Sequence, residues 1–87
     1  MRLINVKTFE LEEFHDERSI KFAILSHRWE AEEVMYKDML TESDRARAKT
    51  LRGWCRVENC CRQAAADGLY HVWVDTCCID KSGSAEL

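Results

Sequence analysis

The 87-residue sequence has no proline, only 3 glycines and no long hydrophobic run. A membrane-spanning helix needs about 20 mostly apolar residues in succession, and no stretch approaches that length. Residues 1–7 also lack the apolar region followed by small residues that marks a secretory signal. We therefore expect a soluble, cytoplasmic protein with no membrane partner.

A basic surface is the second feature that the sequence lacks. Its 13 lysines and arginines are outnumbered by 16 aspartates and glutamates, and they are scattered among those acids. Nucleic-acid-binding domains concentrate basic residues on one face. We expect no nucleic-acid partner. A chain of this length forms at most one small domain, which buries only about 60% of the surface that the unfolded chain exposes.

Five cysteines are present, but their number and spacing suit neither disulfides nor a metal. An odd count without an export signal disfavours a disulfide framework. Zinc ligands come in pairs two to four residues apart, whereas the pairs here, Cys60-Cys61 and Cys77-Cys78, are adjacent. Cys55 and His71 could be added, but the spacing does not demand it. We expect no metal site and reduced, largely buried thiols that act as small apolar residues.

The most informative segment is residues 70–81, where a bulky apolar run breaks into a polar cluster. Such a run is typical of a parallel strand covered on both faces. Residues 22–26 form a second run of this kind, which stops at residues 26–29. Ligands collect beyond the carboxyl ends of parallel strands. We therefore expect residues 26–29 and 75–81 to share one edge of the sheet, which we call the strand-end ledge.

One helix is clearly predicted, and it precedes the second of these strands. Its apolar positions follow the spacing of a single helix face, namely Val57, Cys60, Cys61, Ala64 and Ala65. Gly68 suits a left-handed helix stop. A helix, a glycine stop and a buried strand make the second half of a βαβ unit.

The other elements are less clearly marked. A short strand is expected at residues 2–6, a short helix or a few strand residues within 30–40, and a solvated connection that enters a helix at 41–49. Gly53 indicates a break. Residues 11–19 are acidic and contain neither glycine nor proline to define a turn, so we expect them to be irregular.

The sequences at residues 22–29 and 72–81 resemble two motifs of the heterokaryon incompatibility domain of filamentous fungi. Residues 1–6 and the helix around residues 60–68 also fit that family. The resemblance identifies residues 1–87 as the N-terminal portion of such a domain, which in the family continues into further elements. One departure is Glu30, where the family usually has glycine.

The resemblance implies a fold and an activity. The family's domain is similar to Toll/interleukin-1 receptor domains, so the expected fold is α/β, a truncated part of a flavodoxin-like sheet with flanking helices. Family members trigger programmed cell death when genetically different hyphae fuse, as a form of fungal allorecognition. Several relatives of the receptor-like fold cleave NAD with a glutamate near the strand ends. NAD is therefore the candidate substrate, with no bound cofactor and with catalysis expected only in the intact domain.

By this resemblance Glu86 is the candidate catalytic residue. Cleavage of an N-glycosidic bond develops positive charge on the ribose, which a carboxylate can stabilise. Glu86 could instead only stabilise the first turn of a helix. The candidate nucleotide-binding residues are those of the strand-end ledge, Ser26, His27, Arg28, Trp29, Asp75 and Asp80.

Alternatives remain for these polar residues. Arg28 could clamp a phosphate or pair with Asp75 or Asp80, and the two acids could cap loop amides or, less favourably, hold magnesium. A nucleophilic Cys77 or Cys78 is disfavoured because the sequence shows no nearby histidine and no preceding helix start.

Two non-enzymatic hypotheses accompany the enzymatic one. The chain could be an interaction module whose exposed sheet edge or uncovered face docks a protein partner or a second copy in a homo-oligomer. It could also be a truncated gene product without independent activity.

Overall fold

The computed structural model describes residues 1–25 and 32–81 of the chain. Within these ranges the fold is mixed α/β, as predicted, with a four-stranded sheet in the order β2-β1-β4-β3. The strands are β1 Arg2–Asn5, β2 Leu11–Glu13, β3 Ala23–Leu25 and β4 His71–Val74.

The predicted parallel pairing of the two apolar strands is confirmed. Ala23 lies opposite Val72 and Leu25 opposite Val74, with β3 and β4 running in the same direction. The other neighbour of β4 is β1, which runs antiparallel to it and to β2. The sheet is therefore mixed rather than purely parallel.

The expectation that β4 is covered on both faces holds for one face only. Val72 and Val74 are fully buried, whereas His71 and Trp73 on the other face are half-buried. Because α2 packs against β3 and β4 on the valine side, that side forms the core. A continuous apolar run in the sequence is compatible with two structures: a strand covered by other elements on both faces, and a strand on which bulky side chains of one face partly shield one another from solvent.

The acidic segment predicted to be irregular contains β2, so that prediction was wrong. The turn between β1 and β2 forms without glycine or proline because Asn5 Oδ1 accepts hydrogen bonds from the backbone N–H groups of Lys7 and Thr8, at 2.8 and 3.1 Å. Phe9 completes the turn with a positive φ of 62°. An asparagine side chain supplied the turn chemistry.

The helices are α1 Glu42–Ala48, α2 Trp54–Ala66 and the single turn α3 Asp75–Cys78, with 3-10 turns at Glu17–Ser19 and Tyr36–Met39. Thr41 caps α1 by accepting a hydrogen bond from the Asp44 N–H at 3.0 Å. The short helix expected within residues 30–40 is the 3-10 turn at Tyr36–Met39. The charged connection expected at residues 41–49 does enter a helix, α1. No described helix is long and apolar enough to span a membrane.

The helix α2 agrees with its predicted pattern except at Ala65 and, in part, at Cys60, which is half-buried. Trp54, Val57, Cys61 and Ala64 are buried, whereas Ala65 lies at the margin of the face and is exposed. Gly53 and Gly68 act as expected: α2 begins directly after Gly53, and Gly68 follows the end of α2 with φ at +82°.

The core joins this face of α2 to β1 and β4. It continues through α3 and into the segment that leads to α1. Its buried apolar residues are Ile4, Val6, Val34, Met39, Ala48, Trp54, Val57, Cys61, Ala64, Val72, Val74, Cys77 and Cys78.

Candidate functional site

The parallel pairing of β3 and β4 brings their carboxyl ends to the same edge of the sheet. Asp75 follows β4 directly and is the first residue of α3. Ser26, His27, Arg28, Trp29 and Glu86 lie outside the described residues, as does Glu30. Their position on the strand-end ledge and the ion pair of Arg28 with an aspartate stay predictions.

The carboxylate of Asp75 is incompletely satisfied. Its Oδ1 atom is buried and has no hydrogen-bond partner among residues 1–25 and 32–81, although the residue as a whole is half-buried. Leaving a buried acceptor without a partner costs about 1–3 kcal/mol. A ligand donor or a donor from the rest of the chain at this position would recover that free energy.

Asp80 lies in a different environment from Asp75. After α3 the chain turns extended at Ile79, and Asp80 and Lys81 then line a groove of about 490 Å³. The opposite wall is mostly apolar and comes from the 3-10 turn and its neighbours, namely Met35, Tyr36, Lys37 and Leu40. Asp75 does not line this groove, so the two acids are separated by α3 and face different surroundings.

Helix α3 corrects one premise of the sequence interpretation. A helix start does precede Cys77 and Cys78, because α3 begins at Asp75. The thiols are nevertheless poor nucleophiles. Burial raises the pKa of Cys77 to about 12 and that of Cys78 to about 11. Since the thiolate is the reactive form, the conclusion against a cysteine nucleophile is supported on different grounds.

The thiols of α3 serve as packing and hydrogen-bonding groups. The Cys77 thiol donates to the carbonyl oxygen of Val34 at 3.3 Å, and the Val74 N–H donates to the Cys78 sulfur at 3.4 Å. All five cysteines are free, and three of them, Cys61, Cys77 and Cys78, are buried as predicted. Within the described ranges no three cysteine, histidine or acidic side chains are grouped as metal ligands would be.

Tyr36 is a candidate binding residue that the sequence did not reveal. Its ring lines the groove beside Asp80, and the Arg2 guanidinium lies 4.9 Å from the ring centroid in a cation–π contact. The surrounding residues 30–40 gave only an ambiguous helix or strand signal. Neither this contact nor the groove could be predicted from a local sequence pattern, because Arg2 and Tyr36 are far apart in the chain.

An ion pair between Glu33 and Arg56 holds residues 32–34 against α2. Arg56 Nη1 lies 2.8 Å from Glu33 Oε1, and the Glu33 side chain is 5% exposed. The N–H of Gly53 also donates to the carbonyl oxygen of Glu32 at 3.0 Å. These two contacts anchor residues 32–34 to the N-terminal end of α2.

Comparison with known proteins confirms the resemblance to incompatibility proteins. The chain is 48% identical over 68 residues, or 76% of its length, to the vegetative incompatibility protein HET-E-1 of Podospora anserina. The matched part is 5% of that protein, so the chain spans a small fraction of its relative. No protein-family model and no solved structure matches the chain.

Proposed function

We propose that this chain, which is related to a vegetative incompatibility protein, acts in heterokaryon incompatibility as the N-terminal portion of an incompatibility domain. In the intact domain it contributes part of a site that binds and cleaves a nucleotide of the NAD class. Cleavage then feeds programmed cell death when unlike hyphae fuse. The observation that supports the nucleotide site is the buried oxygen of Asp75, at the shared end of two parallel strands, which has no hydrogen-bond partner among residues 1–25 and 32–81.

The finer fold is part of this proposal. A flavodoxin-like or Toll/interleukin-1-receptor-like sheet is supported by the unit β3–α2–β4, in which a helix packs on two adjacent parallel strands. The antiparallel β1 departs from an all-parallel sheet. The N-terminal hairpin would therefore be an addition to the parallel part of the fold.

The polar side chains of the strand-end ledge suit the binding of a nucleotide. A carboxylate such as that of Asp75 accepts hydrogen bonds from ribose hydroxyl groups, which would satisfy its buried oxygen. Ser26 and Arg28 would contact phosphate oxygens, the arginine through two parallel hydrogen bonds. Trp29 would offer a ring on which a base can stack, and His27 completes this polar segment.

Glu86 is the proposed catalytic carboxylate. Loss of nicotinamide from NAD breaks the N-glycosidic bond and leaves positive charge on the ribose. A carboxylate close to that charge stabilises the transition state and can orient the attacking water. The assignment depends on resemblance to NAD-cleaving relatives of the fold.

The experiment measures nicotinamide release by the intact incompatibility domain that contains this sequence. The wild-type domain should release nicotinamide, Glu86→Ala should abolish release, and Asp75→Asn should weaken NAD binding. Asp16→Asn is the matched control, because Asp16 is exposed and lies in the connection between β2 and β3. A folded intact domain without turnover or NAD binding would overturn the nucleotide proposal.

A second candidate is a non-catalytic interaction module. It is favoured by Ile24, a large apolar residue on the edge strand β3 that is 64% exposed. The same assay separates the two functions, because a pure interaction module would release no nicotinamide with either the wild-type residue or Glu86→Ala.

A further inference from the structure

The strand β3 has an open edge. Its hydrogen-bonded neighbour is β4, and in the part of the chain that the structure describes no strand pairs with its other side. Ile24, in the middle of β3, is 64% exposed. The unpaired backbone groups of an edge strand are a ready template for another strand, and an apolar side chain there favours such pairing.

A groove accompanies this edge on the helix side of the sheet. It has a volume of about 520 Å³ and runs between β3 and one stripe of α2. The stripe follows the spacing of one helix face and borders the buried face, which it meets at Ala64; Arg56, Asn59, Cys60, Gln63, Ala64 and Asp67 lie along it. Part of α2 therefore faces the space beside β3 where a further strand would lie.

We propose that this edge and stripe form a symmetric interface with a second copy of the chain. The two β3 strands pair antiparallel across a two-fold axis perpendicular to the sheet, so that Ile24 meets Ile24 of the second copy. An isologous interface requires such self-complementarity, since each residue meets its own symmetry partner. Cross-strand apolar pairs of this kind stabilise a sheet.

The distances between neighbouring strands and between neighbouring helices are compatible with this dimer. Paired strands lie about 4.8 Å apart. Because α2 packs over both β3 and β4, pairing the two β3 strands would bring the two copies of α2 to about 10 Å between axes. Packed helices lie at about 8–10 Å. The strand pair and the helix pair can therefore form together.

The charges of the stripe favour a second copy over an unrelated peptide. Arg56 lies near the start of α2 and Asp67 directly after its end. Two antiparallel copies of α2 bring the exposed part of Arg56, which also pairs with Glu33 of its own copy, toward Asp67 of the other copy, so that two opposite-charge contacts form by symmetry. Cys60, near the middle of the stripe, is half-buried and small enough for close approach. The short strand limits the contact area, so we expect a weak dimer with a micromolar dissociation constant.

Sedimentation equilibrium of the 87-residue chain across the micromolar range tests the interface. The wild-type chain should shift from monomer to dimer. Ile24→Lys places like charges opposite each other and should raise the dissociation constant at least about tenfold. Tyr70→Lys is the matched control, because Tyr70 is 67% exposed and lies outside the groove. Circular dichroism verifies that each variant folds.

A cross-link locates the contact. Opposed residues of antiparallel strands have Cα atoms about 4.5–5.5 Å apart, within the range of about 4.4–6.8 Å that a disulfide spans. In a background with Cys55→Ser and Cys60→Ser, Ile24→Cys should form a covalent dimer with oxidised glutathione, and Tyr70→Cys should not. A chain that stays monomeric, or a dimer that tolerates Ile24→Lys and does not cross-link at position 24, would overturn the proposal. Neither result depends on NAD cleavage.

Discussion

Arg56 Nη1 lies 2.8 Å from Glu33 Oε1, and Glu33, at 5% exposure, is the more buried member of the pair. Arginine thus stabilises a carboxylate that has little access to water. Because Arg56 is on α2 and Glu33 precedes the 3-10 turn at Tyr36–Met39, the pair connects the helix α2 to the segment that leads to this turn. Its contribution to stability can be measured.

Replacing Arg56 should destabilise the chain strongly. Arg56→Met keeps much of the packing but leaves the buried Glu33 carboxylate without this partner, and we expect a loss of about 2–3 kcal/mol, below the full cost of a buried pair because Arg56 is 30% exposed. Urea unfolding gives the value. The control is Arg62→Met, whose exposed pair with Glu58 should contribute less than about 1 kcal/mol. Equal losses in the two variants would contradict the special role of Arg56.

Gly53→Ala should also destabilise the chain, for a steric reason. A Cβ atom at this position would lie 2.8 Å from the carbonyl oxygen of Glu32 and 3.1 Å from Cα of Glu33. These are backbone atoms, so the segment must shift, at an expected cost of about 1–3 kcal/mol.

Gly68→Ala provides the comparison for this prediction. An added Cβ at Gly68 meets no atom within 4 Å, but the φ of +82° is unfavourable for alanine. The expected cost is about 1 kcal/mol from backbone strain alone. Thermal unfolding of both variants tests the difference, and a neutral Gly53→Ala would show that residues 32–33 do not pack closely on α2.

The thiols should react with an alkylating reagent at very different rates. Cys55 is exposed and Cys60 half-buried, whereas Cys61, Cys77 and Cys78 are buried. Burial also raises the pKa of Cys61 to about 12, close to that of Cys77. We expect mass spectrometry at neutral pH to find iodoacetamide first on Cys55, with the three buried thiols modified only as the chain unfolds. Rapid modification of Cys77 in folded protein would contradict this.

The same thiols should make the fold sensitive to alkali. A buried thiol whose folded pKa is raised above its ordinary value of 9.0 favours the neutral form. The unfolded chain loses its proton first, so the thiol contribution is fully present below about pH 9 and is lost as the pH rises toward about 11–12. Urea unfolding at increasing pH should show falling stability above pH 9, with a smaller slope in Cys77→Ala. A pH-independent free energy of unfolding would count against burial of these groups.

Asp75→Asn should separate stability from binding. Oδ1 of Asp75 is buried and has no hydrogen-bond partner among residues 1–25 and 32–81, and an amide costs less to bury than a carboxylate. We expect the ligand-free variant to be more stable than the wild type by about 1 kcal/mol and to melt at a higher temperature. A marked loss of stability would mean that the Asp75 carboxylate has a structural partner elsewhere in the chain.

The features that the sequence predicted well are those with a local signal. The spacing of Val57, Cys61 and Ala64 identified α2, Gly68 identified its end, and two apolar runs identified the parallel pair β3 and β4. Ala65 shows the limit of this reasoning, because periodicity gives the centre of a buried face more accurately than its margin.

The features that were missed depend on distant parts of the chain. The strand β2 forms because the edge of β1 supplies hydrogen-bond partners to an acidic segment with little strand propensity of its own. The antiparallel direction of β1 relative to β4 is set by the hairpin and the core, and the pair of Glu33 with Arg56 joins residues 23 positions apart. In the candidate site, Asp75 was found because it follows an apolar run, whereas Tyr36 had no comparable signal.

The order of the strands in the sheet also governs how the chain can assemble. Among the strands that the structure describes, β4 is the last in sequence, yet it lies between β1 and β3, which have no direct pairing with each other. Until residues 71–74 have left the ribosome, the earlier strands cannot close into one sheet, and both would expose pairing edges to other nascent chains. Such delayed, non-local closure slows folding, so a chaperone that shields these edges during synthesis would raise the yield of native protein.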